Sequence, residues 1–241
     1  VRANRALEDV CRAYSLPCIS GKDSMKNDAT LDGEKISVPP TLLFSLMGNH
    51  QDVTKAISSD FKNIGDAIYL VGETKQELGA SELAYMFQEE SEGASGIGGK
   101  VPSIDTKRNL SAYKALTKAM HAGLVESAHD CSDGGLSVAI AESCFGIDAG
   151  AKIDVSSLLV SDDMLDSWGV LFGESLGRIL VSVNLDSIEE FEKMMDGIFH
   201  EKIGTVGKND ELIIMNNESE ILTASITELR KSWKGTLDGG A

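Results

Sequence analysis

Residues 125–145 read V-E-S-A-H-D-C-S-D-G-G-L-S-V-A-I-A-E-S-C-F, and they carry the strongest signal for the architecture of this chain. Residues 125–130 predict a strand, and residues 136–145 predict a helix with apolar side chains at helical spacing. Gly134 and Gly135 lie between them and predict a tight turn. A strand that passes directly into a helix is typical of an α/β domain.

Predicted strands and helices alternate on both sides of this segment. The continuous apolar run at 67–72 predicts a buried strand. Further strands are predicted at 151–155, 178–183, 202–206 and 211–215, the last two as a hairpin-like pair, and helices at 81–88, 110–124, 188–195 and 221–233. Because the order is not a strict βαβ repeat, the pattern indicates an α/β sandwich with a mixed sheet flanked by helices.

The first 50 residues have a different character. An amphipathic helix is predicted at about 3–15, followed by a short strand at 18–19, a polar loop at 20–33 and a strand at 36–47. Pro39 and Pro40 make one end of that strand an edge or a bulge, because proline donates no ladder hydrogen bond. The clearest domain boundary lies near 50–65. The chain starts at Val1 inside a predicted helix, so we interpret it as a piece of a longer polypeptide.

Composition excludes several classes of function. The 241 residues carry a formal net charge of −16, which disfavours duplex DNA or RNA as a main partner. No run of about 18 apolar residues is present, so no membrane span is predicted. The four cysteines form no C-x-x-C pair, which is typical of a reduced, cytoplasmic protein with free thiols. In so acidic a chain, a phosphorylated ligand needs a local site, and we expect Mg²⁺ to take part in it.

The segment H-D-C-S-D-G-G-L at 129–136 is the first candidate site. Asp130 ends a predicted strand, where its carboxylate can bind a hard cation, and the following helix N-terminus attracts phosphate. The alternative is an aspartate helix cap with a glycine turn, which has no functional role. A nucleophilic pair of Cys131 with His129 is disfavoured, because no third group that would orient the histidine is evident.

Residues 20–28, S-G-K-D-S-M-K-N-D, form the second candidate site. Lys22 and Lys26 could bind a phosphate, and Asp23 or Asp28 a metal ion. The segment lacks the Walker A spacing, and the alternative is a solvated surface turn.

The third candidate site is the turn L-F-G-E-S-L-G-R at 171–178, just before a predicted strand. Glu174 and Ser175 could face a cleft from this turn. The alternative is a tight turn with a surface salt bridge to Arg178.

Together these motifs resemble a known family. In order, the chain carries S-G-K-D-S-M at 20–25, V-P-P-T-L-L-F-S-L-M-G at 38–48, E-L-G-A-S-E at 77–82, G-G-K-V-P at 98–102, H-D-C-S-D-G-G-L at 129–136 and L-F-G-E-S-L-G-R at 171–178. They resemble the phosphoribosylformylglycinamidine synthases, and in particular the C-terminal part of the second synthetase half. That family belongs to a superfamily with aminoimidazole ribonucleotide synthetase.

The resemblance implies three regions. Residues 1–58 would be part of an N-terminal synthetase-type domain, residues 59–214 a C-terminal synthetase-type α/β domain, and residues 215–241 a final helix and tail. It also implies an ATP-dependent carbon–nitrogen ligase of purine biosynthesis. Such an enzyme converts formylglycinamide ribonucleotide and glutamine-derived ammonia into formylglycinamidine ribonucleotide. An upstream synthetase domain and a glutaminase domain or subunit would be its partners, and we expect the isolated chain to be inactive.

The resemblance also implies roles for particular residues. Asp130 would bind Mg²⁺, and Ser132 would contact the substrate. In the 20–25 motif, Gly21, Lys22 and Asp23 would bind nucleotide or phosphate, and Ser24 the substrate. Short forms of the enzyme have a metal-binding asparagine at the position of Lys22, which favours a phosphate contact for this lysine.

Glu174 and Ser175 match a substrate-contacting turn of the other, internally homologous half. No catalytic residue is identified. Two alternatives remain: a structural half that holds an auxiliary nucleotide without turnover, and a related synthetase with another phosphorylated substrate.

Overall fold

The computed structural model describes residues 2–21, 28–37, 43–50, 52–90, 99–147, 149–159 and 165–235. The chain divides into two compact units, residues 1–54 and residues 55–241. Each unit is described by itself below.

In the described part of the first unit, the structure has one helix and one β-hairpin. Helix α1 (Arg2–Tyr14) confirms the helix predicted at about 3–15. Strands β1 (Ala29–Leu31) and β2 (Glu34–Ile36) pair antiparallel around a turn at Asp32 and Gly33. A single 3₁₀ turn at Val53–Lys55 lies at the boundary between the units.

Three predictions for the first unit were wrong. Cys18 and Ile19 form no strand, and the predicted loop at 20–33 contains β1. The predicted strand at 36–47 is absent over 43–47, while its prolines Pro39 and Pro40 lie outside the described residues. The hairpin was missed because strands of three residues are too short to show an alternating pattern.

The second unit holds the other helices and strands. Its strands are β3 (Ala67–Val71), β4 (Ser127–Asp130), β5 (Gly150–Asp154), β6 (Ile179–Val183), β7 (His200–Gly207), β8 (Glu211–Asn216) and β9 (Ser219–Ser225). Its helices are α2 (Glu82–Glu90), α3 (Thr106–His121), α4 (Gly135–Cys144), α5 (Ser156–Leu159), α6 (Ser167–Phe172), α7 (Ile188–Met194) and α8 (Ile226–Gly235).

The seven strands form one sheet in the order β4-β6-β3-β7-β5-β8-β9. Strands β5 and β8 run parallel, and the other neighbouring pairs run antiparallel. The sheet is therefore mixed, and helices flank it, which confirms the predicted fold class.

Both faces of the sheet carry an apolar core, as the central strand β3 shows. Ile68 and Leu70 belong to a cluster that also contains residues of α4, α5 and α6. Ala67, Tyr69 and Val71 belong to a second cluster with residues of α3 and α7. All five residues of β3 are buried, which explains why its sequence is continuously apolar rather than alternating. Among the described residues, no helix combines the length and apolar character that crossing a bilayer requires.

Two predictions near the C-terminus were wrong. Strands β7 and β8 are not neighbours, because β5 lies between them. Strand β8 instead forms a hairpin with β9, so the final helix begins at Ile226 rather than at 221. The turn of this hairpin contains Asn217 in the left-handed region, at φ 54°, a conformation that asparagine adopts more easily than most residues.

Asp210 stabilises the start of helix α8. Its carboxylate accepts hydrogen bonds from the Ser225 hydroxyl at 2.9 Å and from the Thr227 amide at 3.0 Å. The hydrogen bond from Ser225, with further bonds from Thr227, lowers the pKa of Asp210 below its ordinary value. Because the folded-state pKa is depressed, this stabilisation is complete above about pH 4 and is lost as the pH falls through the folded-state pKa.

We therefore expect Asp210→Asn to lower the Tm at pH 7, and we expect its Tm to fall less than that of the wild type between pH 5 and pH 2. Thermal unfolding followed by circular dichroism checks both effects. The matched variant Asp196→Asn changes an exposed aspartate and should follow the wild-type curve. If the Tm of Asp210→Asn and that of the wild type fell equally between pH 5 and pH 2, the proposed stabilising role of the Asp210 carboxylate would be contradicted.

Candidate functional site

The site is built around the turn between β4 and α4. Asp130 is the last residue of β4, and it pairs with Ile179 of the neighbouring strand β6. Gly134 and Gly135 follow with φ values of 77° and 70°, in the left-handed region that favours glycine. A Cβ on Gly135 would lie 2.5 Å from the carbonyl oxygen of Gly173, so this glycine lets the 171–173 segment approach the turn.

The structure brings Asp130 and Ser132 together. The Ser132 hydroxyl donates a hydrogen bond to Asp130 Oδ2, and 74% of the Asp130 side chain is exposed. Behind them, His129 Nε2 lies 3.1 Å from Glu142 Oε2. The Asp130 carboxylate is thus presented to solvent at the end of a strand.

The structure does not support the alternative, in which an aspartate caps helix α4. The N-cap of α4 is Gly134, which has no side chain to make the capping hydrogen bond.

Glu174 lies at the N-termini of two helices. Its Oε1 accepts hydrogen bonds from the Gly134 amide at 3.0 Å and from the Glu82 amide at 2.9 Å. Amides in the first turn of a helix have no partner within the helix, so a carboxylate there stabilises the helix. Glu174 therefore joins the start of α2 to the turn that follows Asp130.

We expect Glu174→Ala to lower the free energy of unfolding by about 2 kcal/mol, because two helix-terminal amides lose their acceptor. Glu174→Gln keeps one carbonyl oxygen in place and should cost about half as much. Urea denaturation of the three proteins measures the differences. Equal stability of the alanine variant and the wild type would show that these two hydrogen bonds do not stabilise the fold.

Ser175 is placed differently from Glu174. It is 1% exposed, and its hydroxyl accepts from the Lys75 amide at 3.1 Å and donates to the Lys75 carbonyl at 3.3 Å. In this conformation the hydroxyl is engaged with the backbone and is not available to a ligand.

Arg178 is buried, so the predicted alternative of a surface salt bridge was wrong. It is 1% exposed, and its guanidinium donates to Thr74 Oγ1, to the Val170 carbonyl and to the Gly173 carbonyl. These bonds hold the segment that leads into Glu174. Burial lowers the pKa of Arg178, and the negative charge of Glu77 is among the effects that oppose this change.

Glu77 is a second buried charged residue that the sequence did not identify as part of the site. It is 0% exposed, and its Oε1 accepts from the Ser103 amide and hydroxyl. Its Oε2 has no hydrogen-bond partner among the described residues. The sequence around it, E-T-K-Q-E-L-G-A at 73–80, is mostly polar and gives no sign that this glutamate is buried.

Cys131 is not a nucleophile in this structure. Burial raises the pKa of its thiol to about 11, so the thiol stays protonated at neutral pH. The charge facing Arg178 at neutral pH therefore comes from carboxylates rather than from this cysteine.

The remaining predicted residues fall elsewhere. Gly21 lies in the first unit and is exposed to solvent. Lys22, Asp23 and Ser24 lie outside the described residues. Over the described part of the chain, no group of three or more histidine, cysteine, aspartate or glutamate side chains could together hold a metal ion.

A cavity of about 570 Å³ borders Ser175 and Leu176 in the second unit. The side chains of Lys75, Lys107 and Arg108 line it, close to the N-terminus of α3. Its volume is in the range of small-molecule sites. Arg108 is already paired with Glu73 and Asp105.

The comparisons with known proteins agree with this fold. The family model described as AIR synthase related protein, C-terminal domain, matches residues 63–216. A structure of Thermotoga maritima PurL complexed with FGAR superposes with a TM-score of 0.63 at 18% identity, over 73% of this chain and 29% of that chain. Phosphoribosylformylglycinamidine synthase II from Thermotoga maritima gives a TM-score of 0.59 at 16% identity, over 72% and 27%. Thermotoga maritima PurL complexed with ATP gives 0.56 at 17%, over 73% and 27%.

These structures are similar to this chain in fold, and the chain spans little more than a quarter of their length.

Proposed function

Because the chain belongs to the family of AIR synthase related proteins through its C-terminal domain, we propose that it is part of a phosphoribosylformylglycinamidine synthase. The complete enzyme would use ATP to activate the amide oxygen of formylglycinamide ribonucleotide as an iminophosphate. Ammonia derived from glutamine would then displace phosphate and give formylglycinamidine ribonucleotide. The similarity in fold to the Thermotoga maritima synthase, together with the order of the sequence motifs, supports this proposal.

The observation that carries the proposal is the Asp130–Ser132 pair. A carboxylate and a hydroxyl are exposed together at the end of a strand, next to the N-terminus of a helix. Such a helix end favours negative charge, and its turn is held in place by Glu174. We propose that Asp130 binds Mg²⁺ and that Ser132 contacts the substrate.

The residues present fit a Mg²⁺ ion that is shared with nucleotide phosphates. Mg²⁺ in nucleotide sites is commonly held by one or two carboxylates together with phosphate oxygens and water. Asp130 supplies one exposed carboxylate, so the other ligands would be the phosphates and water. When bound, the ion would neutralise charge on the transferring phosphoryl group.

The other proposed contacts come from two segments. We propose that Gly21, Lys22 and Asp23 bind nucleotide phosphate and that Ser24 contacts the substrate. Glu174 Oε2 has no hydrogen bond among the described residues, so Glu174 can contact a substrate while Oε1 holds the two amides. For the Ser175 hydroxyl to contact a substrate, it would have to break its hydrogen bonds with the backbone of Lys75.

A second candidate function is a structural half that holds an auxiliary nucleotide without turnover. One observation favours it: the Ser175 hydroxyl is engaged inside the protein, where it bonds the backbone of Lys75.

We propose that an upstream synthetase domain and a glutaminase domain or subunit complete the enzyme, in the cytoplasm. The experiment is an assay of the complete protein for ADP formation with formylglycinamide ribonucleotide, ATP, Mg²⁺ and ammonium. We expect ADP formation that depends on both the ribonucleotide and ammonium. Turnover only with a different phosphorylated substrate would overturn the proposed reaction and favour a related synthetase.

Titration of the isolated chain with a non-hydrolysable Mg-ATP analogue tests whether the nucleotide site lies within this chain. Binding would show that this chain holds a competent nucleotide site by itself. Absence of binding would mean that other parts of the protein complete the site.

A further inference from the structure

Two thiols of the first unit lie next to each other. The Sγ atoms of Cys11 and Cys18 are 3.6 Å apart, and neither residue is buried. Cys11 belongs to the last turn of α1, and Cys18 follows the end of that helix.

The local backbone explains why these cysteines meet. Ser15 ends the helix in the left-handed conformation, at φ 56°, and its amide donates to the Arg12 carbonyl at 3.3 Å. The Leu16 amide donates to the Cys11 carbonyl at 2.9 Å. This is the Schellman arrangement, which reverses the chain direction at a helix C-terminus. The closeness of the two thiols therefore follows from hydrogen bonds within a single short segment.

The other two cysteines are in a contrasting environment. Cys131 and Cys144 are 6% and 0% exposed, and burial raises the pKa of their thiols to about 11 and about 12. Because the thiolate is the reactive form and needs access to the oxidant, these two should be inert.

We propose that Cys11 and Cys18 are a redox modification site, which forms an intramolecular disulfide on exposure to a peroxide. The thiolate of Cys18, the more exposed residue, attacks one peroxide oxygen, so that a sulfenic acid forms and hydroxide leaves. The Cys11 thiol then attacks the sulfenic sulfur, the S–S bond forms, and water leaves. Together the two thiols lose two hydrogen atoms and hydrogen peroxide is reduced to two molecules of water. A small thiol reverses the bond by exchange.

The disulfide would tie the end of α1 to the residues that precede Gly21. In the sequence, this bond would directly precede the segment that we assign to nucleotide binding under the proposed function. The oxidation itself does not depend on that function, and a mass measurement detects it without any ligand.

The experiment treats the folded chain with hydrogen peroxide, alkylates the remaining free thiols and maps tryptic peptides by mass spectrometry. Cleavage after Arg5, Arg12 and Lys22 separates the two cysteines, so a disulfide joins peptide 6–12 to peptide 13–22. We expect that joined pair, the loss of two of the four free thiols, and full recovery of the thiols with dithiothreitol.

Matched variants make the result specific. Cys11→Ser and Cys18→Ser should each abolish the joined pair, and both should fold, because α1 has no buried residue. Cys131→Ala should leave the joined pair unchanged. The proposal is overturned if peroxide leaves Cys11 and Cys18 as thiols or caps them separately. A link from either of them to Cys131 or Cys144 would equally overturn it.

Discussion

Asp130→Asn should lower kcat/KM of the complete synthetase by about 100-fold or more while leaving the stability of this chain nearly unchanged. The expected loss follows from the proposed Mg²⁺ contact, because removing a group that stabilises charge in phosphoryl transfer typically costs 10²–10³ in rate. Stability should hold because 74% of the Asp130 side chain is exposed and its described partners are its chain neighbours, the Ser132 hydroxyl and, at 3.8 Å, His129 Nδ1. Asparagine also keeps an oxygen that can accept that hydrogen bond.

The measurement is steady-state ADP formation at several Mg²⁺ concentrations, with urea denaturation of each variant beside it. Asp133→Asn is the matched control, since it removes an equal charge from the same turn. We expect the control to keep near-wild-type turnover. If Asp130→Asn also turns over normally, this half does not serve the catalytic nucleotide, and the auxiliary role is favoured instead.

Arg178→Met should lower the free energy of unfolding by about 3–5 kcal/mol, the usual cost of removing one member of a buried charged group. Methionine fills much of the same space but donates no hydrogen bond. The carbonyls of Val170 and Gly173 would then lose their donor, and the fully buried Glu77 would lose the positive charge of the guanidinium. A loss of this size is a large part of the total stability of a typical domain.

Urea denaturation measures this loss, and Arg108→Met provides the matched control. Arg108 pairs with Glu73 while 52% of its side chain is exposed, so its removal should cost about 1 kcal/mol or less. Arg178→Lys should fall between the two, because lysine keeps the charge but not the planar fork of donors. An Arg178→Met variant as stable as Arg108→Met would show that the buried guanidinium does not stabilise the segment that leads to Glu174.

A double substitution tests whether Arg178 and Glu77 act together. If they do, Glu77→Gln with Arg178→Met should cost less than the sum of the two single changes. Additive losses would mean that Arg178 acts through its hydrogen bonds to Thr74 and to the 170–173 segment alone.

The sequence alone was sufficient to predict the helices and strands that have a clear hydrophobic pattern over many consecutive residues. The apolar run of β3 and the spacing in α3 and α4 appear in the structure close to where they were predicted. The turn at Gly134 and Gly135 was predicted from residue type, because only glycine adopts these positive φ angles readily. The order of the motifs also predicted the superfamily of aminoimidazole ribonucleotide synthetase, which the family match confirms.

Tertiary structure decided what depends on distant partners. Residues 221–225 of β9 were predicted as the start of a helix, but pairing with β8 makes them part of a strand, and Leu222 packs partly buried against the core. Likewise β5, and not β8, lies beside β7, because strand order depends on non-local pairing that no short window contains.

The same division holds for the candidate site. The local pattern identified Asp130 at the end of a strand and Glu174 in a turn, and the resemblance to the family indicated Ser132. The sequence did not show that Glu174 binds the amides of two separate helices, nor that Arg178 is buried. Burial and hydrogen-bond partners depend on segments about 40 to 100 residues away in the chain, and only folding brings those segments together.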